Sequence, residues 1–255
     1  MRIDQLLVAR KFCASRAQAQ DAVKAERVKV NGKTIIKCSQ DFDENADIEV
    51  SAAELAFASR AGLKLYHALM DFELNVKDRI VLDVGASTGG FTDVCLSQGA
   101  AHVYACDVGN GQLIDKLRQD PRVSNMENIN CRYLEAKMFD PLPDFVCMDV
   151  SFISILSIMP AVLSCLKPEY EMVLLIKPQF EAGKKDIGKN GIVKDLKVHQ
   201  RVLMQTIDGL LQLKIYPQKL AKSKVCGRDG NQEYVVYCSS TPSHKVFDYQ
   251  KIVKS

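Results

Sequence analysis

A buried strand that runs into a glycine-rich turn is the feature that most restricts how this chain can fold. Residues 79–84 read RIVLDV, a nearly continuous apolar run of the kind found in parallel strands that are covered on both faces. Residues 85–93 read GASTGGFTD and combine a tight turn of small residues with the start of a predicted helix. Strand, glycine turn and helix in this order form the ligand-binding unit of many α/β sheets.

The segments after this unit continue the alternation of strands and helices. A final strand is predicted separately at residues 230–237. Before it, strands at residues 102–108, 123–127, 144–150 and 171–178 alternate with helices at residues 112–120 and 153–166. Such alternation predicts an open parallel sheet that binds its ligands at the carboxyl ends of the strands. We therefore assign the chain to the α/β class and expect residues 59–255 to form a Rossmann-like domain.

The glycine-rich turn also discriminates between cofactors. Its spacing, Gly85-x-Ser87-x-x-Gly90, lacks the middle glycine of the dinucleotide fingerprint, and no Gly-Lys-Ser/Thr follows to make a P-loop. An acid that ends the strand just before a glycine, here Asp83, is the arrangement used by enzymes that bind S-adenosylmethionine (SAM). Asp107, at the end of the next strand, is placed to accept hydrogen bonds from ribose hydroxyls. The pattern favours SAM over a nicotinamide cofactor. The predicted cofactor-binding residues are Asp83, Gly85, Ser87, Thr88, Gly89, Gly90, Phe91, Asp107 and Asp149.

The N-terminal segment has a different composition. Residues 1–37 carry nine Lys and Arg against three acids, and residues 214–228 carry five bases and no acid. Two basic clusters in a chain of net charge +3 indicate a polyanionic partner contacted at two places, although ordinary solvated faces would give the same pattern.

Residues 1–58 are predicted to form a small α+β domain. Helices are expected at residues 2–12 and 15–26, with Ser15 as the N-cap of the second. Asn31-Gly32 between β-branched residues predicts a hairpin, and residues 47–50 supply a further strand. The run S-R-A-Q-A-Q-D-A-V-K-A-E-R-V-K-V-N-G resembles the S-four-like RNA-binding domain, with Glu26-Arg27 where that family often has glycine. By this resemblance the RNA-binding residues are Arg2, Arg10, Lys11, Ser15, Arg16, Gln18 and Lys33.

Other classes of site receive little support from the sequence. The nine cysteines are scattered without a C-x-x-C pair, which indicates reduced thiols and a cytoplasmic protein. The four histidines are far apart, so no metal site is expected. No apolar run approaches the length of a membrane span, and no signal peptide is recognised.

The candidates for chemistry are lysines and acids. Lys177 closes an apolar strand, Asp149 ends the neighbouring strand, Glu233 lies in the last strand and Lys64 is expected just before a helix. Each alone is the kind of residue that usually faces solvent. As an ordered set they resemble the K-D-K-E tetrad of ribose 2′-O-methyltransferases related to the FtsJ heat-shock enzyme. That resemblance implies that Lys177 is the general base, that Asp149 and Glu233 orient the lysines, and that Lys64 holds the 2′-oxygen or a phosphate.

Longer motifs extend the resemblance over nearly the whole chain. The runs FASRAGLKL, DVGASTGGFTD, ACDVGNGQL, DVSFIS, LIKPQFEAG and GNQEY resemble the hemolysin-A (TlyA) family, which methylates cytidine ribose in ribosomal RNA. Ala61 departs from the usual S-R-G-G of that family. Further RNA contacts are expected at Arg60 and at the basic loop that contains Lys184, Lys185 and Lys189. The alternatives are a haemolytic membrane-active protein and an RNA-binding protein without catalysis. The oligomeric state stays open.

Overall fold

The computed structural model describes residues 1–13, 16–24, 26–50, 57–188, 191–227 and 230–255. The chain divides into two compact units, Met1–Ala56 and Phe57–Ser255. All nine cysteines lie in the described residues as free thiols, and most of them are buried.

The N-terminal unit packs two helices against a three-stranded sheet. The helices are α1 (Ile3–Ala9) and α2 (Arg16–Lys24), and the strands are β1 (Val28–Val30), β2 (Lys33–Thr34) and β3 (Ile48–Val50). Both β2 and β3 pair with β1 in antiparallel fashion. Both helices are shorter than the sequence predicts, and the expected N-cap, Ser15, falls outside the described residues.

Two turns of this unit follow from local chemistry. Asn31 and Gly32 have φ angles of 50° and 74°, as a two-residue hairpin turn of type I′ requires. Glu26 has a φ of 56°, so a residue with a side chain adopts the left-handed conformation at the position where the resembling family often has glycine.

A buried carboxylate joins the two helices of this unit. Asp4 is fully buried and accepts hydrogen bonds from Arg16 (2.8 Å), Gln20 (3.0 Å) and Arg2 (3.2 Å). Burial alone would raise the pKa of Asp4, but the hydrogen bonds from Arg16 and Gln20 and the two guanidinium charges lower it to about 2. Arg2 and Arg16 therefore stabilise this unit, whatever else they contact.

The larger unit is a seven-stranded sheet with helices on both faces. Its strands are β4 (Ile80–Val84), β5 (His102–Cys106), β6 (Val123–Met126), β7 (Phe145–Met148), β8 (Glu171–Ile176), β9 (Tyr216–Lys222) and β10 (Tyr234–Ser239). Its helices are α3 (Arg60–Phe72), α4 (Gly90–Ser97), α5 (Asp115–Arg118), α6 (Met159–Leu163), α7 (Pro178–Glu181), α8 (Leu196–Gln212) and α9 (Tyr249–Lys254).

The strand order is β6-β5-β4-β7-β8-β10-β9, and the sheet is mixed. The five strands from β6 to β8 are parallel, as the sequence predicts. Beyond these five strands the direction changes, because β10 runs antiparallel to both β8 and β9. The reason is the connection between β9 and β10, which contains no crossover helix of the kind that parallel neighbours need.

Two predicted helices are shorter or divided. Residues 153–166 form a 3₁₀ turn (Ile155–Ser157) followed by α6, because Ser154 caps the first segment and Pro160 lies at the start of the second. Residues 112–120 contain only the single turn α5. The side chains of each central strand alternate between two apolar clusters, so that Leu82 and Val81 belong to the cores on opposite faces of the sheet.

Charged side chains hold the starts of three parallel strands together. The Arg79 guanidinium donates to the Asp144 side chain (2.9 Å), to the Asp144 carbonyl (2.7 Å) and to Glu171 (2.8 Å). Lys167 adds a bond of 2.8 Å to Asp144. Burial alone would raise the pKa of Asp144, but the bonds from Lys167 and Arg79 lower it.

Replacing Arg79 by Ala should lower the free energy of unfolding by about 1–3 kcal/mol, because it removes three hydrogen bonds that join partly buried groups at the starts of the strands. Arg79→Lys should recover only part of this loss, since an ammonium cannot reproduce the forked geometry. Urea unfolding followed by circular dichroism measures both changes. Lys137→Ala removes the exposed pair with Glu135 and serves as the control, with an expected change below about 0.5 kcal/mol. Equal losses in the Arg79 and Lys137 variants would contradict this account.

Candidate active site

The strand order brings the predicted tetrad to one edge of the sheet. Asp149 directly follows β7 and Lys177 directly follows β8, so both lie at the carboxyl ends of adjacent parallel strands. Glu233 directly precedes β10, whose first residue, Tyr234, pairs with Ile176 at the end of β8. Because β10 is antiparallel, its beginning lies at the edge where β8 ends. The reversal that the sequence did not predict is therefore what places Glu233 beside Lys177.

Three ion pairs link the four charged groups in a chain. Lys64 Nζ lies 2.6 Å from Glu233 Oε2 and 3.6 Å from Asp149 Oδ2, while Lys177 Nζ lies 2.6 Å from Asp149 Oδ1. Asp149 thus stands between the two lysines. Residues Lys177 and Glu233 are 7% and 2% exposed, so their charges need these partners.

Lys64 reaches the set from inside a helix. The sequence predicts it just before a helix, but it lies within α3, because that helix begins at Arg60. A Cβ atom built on Gly62 would lie 2.8 Å from the carbonyl oxygen of Gly90, so glycine at this position lets α3 approach the start of α4 closely. Ala61 lies in α3 and packs against the apolar core that contains Leu65 and Phe91, so its methyl group is accommodated.

Four further residues of this edge were not found from the sequence. Lys177 Nζ donates to Ser151 Oγ (3.1 Å), and Gln179 Nε2 donates to Glu233 Oε1 (3.4 Å). The Phe180 ring lies 5.6 Å from Lys177 Nζ and 4.8 Å from the ring of Phe152. Each lies within three positions of a tetrad residue, the one sequence signal that could have found them.

The segment around Phe152 has an uncommon backbone conformation and a hydrogen bond to α7. Phe152 is 90% exposed and has a φ of 64°, an uncommon conformation for an aromatic residue. The next turn is held by Glu181, which accepts a hydrogen bond of 2.9 Å from the Ile155 amide. Burial raises the pKa of Glu181, whereas this bond and one to Ser154 favour the carboxylate.

The glycine-rich turn lies against the tetrad. Gly85 has a φ of +85°, and a Cβ atom there would lie 2.7 Å from the carbonyl oxygen of Asp149. Beneath the turn, Asp83 is fully buried and accepts a hydrogen bond of 2.6 Å from Thr92. Burial raises the pKa of Asp83 to about 7, against the effect of the Thr92 bond, and the nearby Asp149 raises it further.

The second predicted acid organises the neighbouring loop. Asp107 accepts hydrogen bonds from the amides of Ser87 (2.8 Å) and Gly109 (2.7 Å). Glu127, which the sequence did not single out, accepts from the amides of Gln112 (2.6 Å) and Leu113 (2.9 Å). The bond to Leu113 is the largest of the effects that lower the pKa of Glu127 to about 2. Two carboxylates therefore fix the loop that follows β5.

The remaining predicted residues of the turn position the start of α4. Gly89 is the N-cap of α4 and has a φ of 94°. The Thr88 carbonyl accepts a hydrogen bond of 3.4 Å from the Ile114 amide. A Cβ atom on Gly90 would collide with Ser59, and Phe91 is buried in the apolar core. Gly90 and Phe91 thus set the position of α4.

These residues suit the chemistry of SAM, which combines a sulfonium, an ammonium and two ribose hydroxyls. Asp83 Oδ1 is a buried acceptor that has no N–H or O–H donor among the described residues. The carboxylate of Asp107 lies beside the turn, and carboxylates accept hydrogen bonds from hydroxyls. The close backbone of Gly85 leaves no room for a side chain on the side of Asp149. These carboxylate acceptors therefore fit the ribose hydroxyls and the positive charges of SAM.

Some of the predicted RNA-binding residues are bonded within the protein, whereas others are exposed. Arg2 and Arg16 bind Asp4, and Arg10 donates to the Ala46 carbonyl (2.6 Å). Lys11 and Lys33 are exposed. Arg60 is the first residue of α3 and is partly buried. Ser15 and Lys189 lie outside the described residues, as do the side chains of Gln18 and Lys184, while Lys185 is exposed.

The described ranges contain neither a metal-binding cluster nor a membrane-spanning helix. No three His, Cys, Asp or Glu side chains of the described residues are grouped so that they could hold a metal ion. No described helix has the length and apolar character needed to cross a membrane.

Comparisons with known proteins agree with this architecture. Residues 57–239 match the family "FtsJ-like methyltransferase", and residues 1–45 match the "S4 domain". The chain is 42% identical to the "Putative rRNA methyltransferase YqxC" of Bacillus subtilis, over 92% of this chain and 84% of that protein. It is 39% identical to the "16S/23S rRNA (cytidine-2'-O)-methyltransferase TlyA" of Mycobacterium tuberculosis, over 92% and 88%.

A solved structure extends the similarity to the fold of the whole chain. The "Putative hemolysin from Streptococcus thermophilus" is 40% identical, with a TM-score of 0.81 over 100% of this chain and 94% of that one. The chain therefore belongs to the FtsJ-like methyltransferase family, carries an S4 domain at its N-terminus and has SAM as its methyl donor.

Proposed function

We propose that this protein transfers the methyl group of SAM to a ribose 2′-hydroxyl in ribosomal RNA, with cytidine as the modified nucleoside. The observation that carries this proposal is the ion-paired tetrad of Lys64, Asp149, Lys177 and Glu233 beside the glycine-rich turn. The relative from Mycobacterium tuberculosis, named for cytidine 2′-O-methylation, supports the choice of nucleoside. The intact tetrad favours an enzyme over an RNA-binding protein without catalysis.

The turn from Gly85 to Gly90 would hold SAM, with Asp107 on the ribose hydroxyls and Asp83 beneath the turn. When bound there, SAM supplies an electrophilic methyl group. The protein has to orient the 2′-hydroxyl and remove its proton, because a neutral hydroxyl is a weak nucleophile.

Lys177 is the proposed general base, and it must be a neutral amine when it takes the proton. Asp149 makes ion pairs with both lysines and so holds them at one place. Lys64, held by Glu233, would donate to the 2′-oxygen or an adjacent phosphate. Gln179 orients Glu233 from the opposite side.

Basic residues outside the tetrad are proposed to bind the RNA. The exposed Lys11 and Lys33 of the N-terminal unit are proposed to bind phosphates, as are Arg60, Lys184 and Lys189 of the larger unit. Arg2, Arg10 and Arg16 already make bonds within their own unit, so we assign them first to its stability.

The proposed function is tested by incubating the full chain with tritiated SAM and ribosomal subunits from a strain that lacks its gene. We expect label in the RNA at a cytidine, and mapping by resistance to alkaline cleavage should place it on the 2′-oxygen. Label on a base, or none in either subunit, would contradict the proposal.

Lys177→Ala should reduce single-turnover methyl transfer by about 10²–10⁴-fold, the usual range for the loss of a general base. Lys177→Arg should be nearly as damaging, because a guanidinium keeps its proton at any workable pH. SAM affinity should stay near that of the wild type, and the exposed Lys137→Ala should change neither quantity. Substantial activity in the Arg variant would instead give Lys177 a role as a fixed positive charge.

Replacing both Lys11 and Lys33 by Ala should weaken RNA binding without changing SAM affinity. Each lost phosphate contact should reduce the slope of log affinity against log salt concentration by roughly 0.7–0.9. Binding isotherms at several salt concentrations measure this slope, with Lys137→Ala as the control for the loss of one exposed positive charge elsewhere on the protein. An unchanged slope in the double variant would exclude these lysines from the interface.

SAM binding should release a proton from Asp83. At pH 7 this carboxyl is about half protonated, since burial raises its pKa to about 7. A bound cation favours the ionised form, so SAM affinity should fall as the pH decreases through 7, with release of up to roughly half a proton at pH 7. Calorimetry in two buffers of different ionisation enthalpy measures the number of protons. The proton release should be lost in Asp83→Asn, and equal release by both proteins would contradict the assignment.

A further inference from the structure

The Lys177 amine has little direct access to the open face of the site. Its side chain is 8% exposed. Asp149 lies on one side at 2.6 Å, and the Phe180 ring covers another at 5.6 Å. A substrate hydroxyl that needs to reach this nitrogen meets other side chains first.

Ser151 is a second polar group in contact with the Lys177 amine. Its Oγ accepts a hydrogen bond of 3.1 Å from Lys177 Nζ, and the residue itself is exposed. The hydroxyl therefore has the buried nitrogen on one side and the open face on the other.

A hydroxyl suits this place for a chemical reason. It can accept a hydrogen bond from an ammonium and, after rotation, donate one to the lone pair of a neutral amine. Asp149, as a carboxylate, can only accept. Among the described residues, Lys177 Nζ has polar contacts with Asp149 and Ser151, and of these only Ser151 can partner the nitrogen in both of its protonation states.

We propose that Ser151 is a further catalytic residue, which relays the 2′-hydroxyl proton to Lys177. This inference rests on the proposed function. The O–H bond of the 2′-hydroxyl breaks and its proton binds Ser151 Oγ, while the original Ser151 proton moves to the lone pair of Lys177 Nζ. The electron pair left on the 2′-oxygen would form the bond to the methyl carbon, and the methyl–sulfur bond of SAM would break with its electron pair kept by the sulfur. Ser151 ends as a neutral hydroxyl and Lys177 as an ammonium.

The backbone holds Ser151 in place for this role. The following residue, Phe152, has a φ of 64°, and its ring lies 4.8 Å from that of Phe180 in a tilted arrangement; Phe180 follows Lys177 by three positions. Glu181 binds the amide of Ile155 at 2.9 Å. Both contacts join the segment that carries Ser151 to α7, which begins directly after Lys177.

The test compares two variants of equal shape. Ser151→Thr keeps the hydroxyl and Ser151→Val replaces it with a methyl group. In single-turnover methylation of ribosomal subunits we expect the Thr variant to stay within about tenfold of the wild type and the Val variant to lose about 10²-fold, the lower end for a proton-transfer group. Ser157→Ala, an exposed serine of the same segment that bonds only to the Ser154 carbonyl, is the control and should keep its rate.

A second measurement separates a relay from a purely structural contact. In mixtures of light and heavy water, two protons in flight give a curved dependence of the wild-type rate on the deuterium fraction. A straight line, or no isotope effect, overturns the relay, as does a Val variant as active as the Thr variant. SAM affinity measured on each variant confirms that the fold and cofactor site are intact. If the wild-type protein methylates no ribosomal RNA, that result overturns the proposed function itself, before the relay is tested.

Discussion

The ion pairs of Asp149 with two lysines are the constraint on which the site depends. Two ammonium groups brought to one edge of a sheet repel each other and lose hydration, so they can be held together only by a charge between them. Asp149 supplies it, at 2.6 Å from Lys177 and 3.6 Å from Lys64, and Glu233 completes the balance at 2.6 Å from Lys64. Cofactor turn, helix α3 and the last strands are all arranged around this set.

The sheet topology explains how these groups meet. Parallel strands bring Asp149 and Lys177 to adjacent strand ends, whereas Glu233 arrives from the opposite chain direction because β10 inserts antiparallel between β8 and β9. Glycines allow the other approaches: Gly62 brings α3 towards α4, and Gly85 brings the turn against the Asp149 carbonyl. Positions of the backbone, more than the charges themselves, therefore determine the geometry of the site.

Much of this was predictable from the sequence, because buried parallel strands, glycine turns and the Asn31-Gly32 hairpin have strong local signals. The direction of β10 was not, since pairing direction depends on connections made far along the chain. Contacts such as Gln179 to Glu233, or Ser151 to Lys177, join residues on different segments, and no periodicity marks them. The place of Lys64 within α3 was missed because the start of that helix carries no capping bond from Ser59.

The central claim is that the tetrad acts as one unit, and a double-mutant cycle tests it most directly. Asp149 and Glu233 both contact Lys64, so once one carboxylate is lost the other can no longer hold that lysine in its working position. The measurement is the single-turnover rate of methyl transfer for Asp149→Asn, Glu233→Gln and the double variant, at saturating SAM. The account predicts that the double variant loses little more than the worse single variant. A loss equal to the product of the two single effects would show independent groups and contradict it.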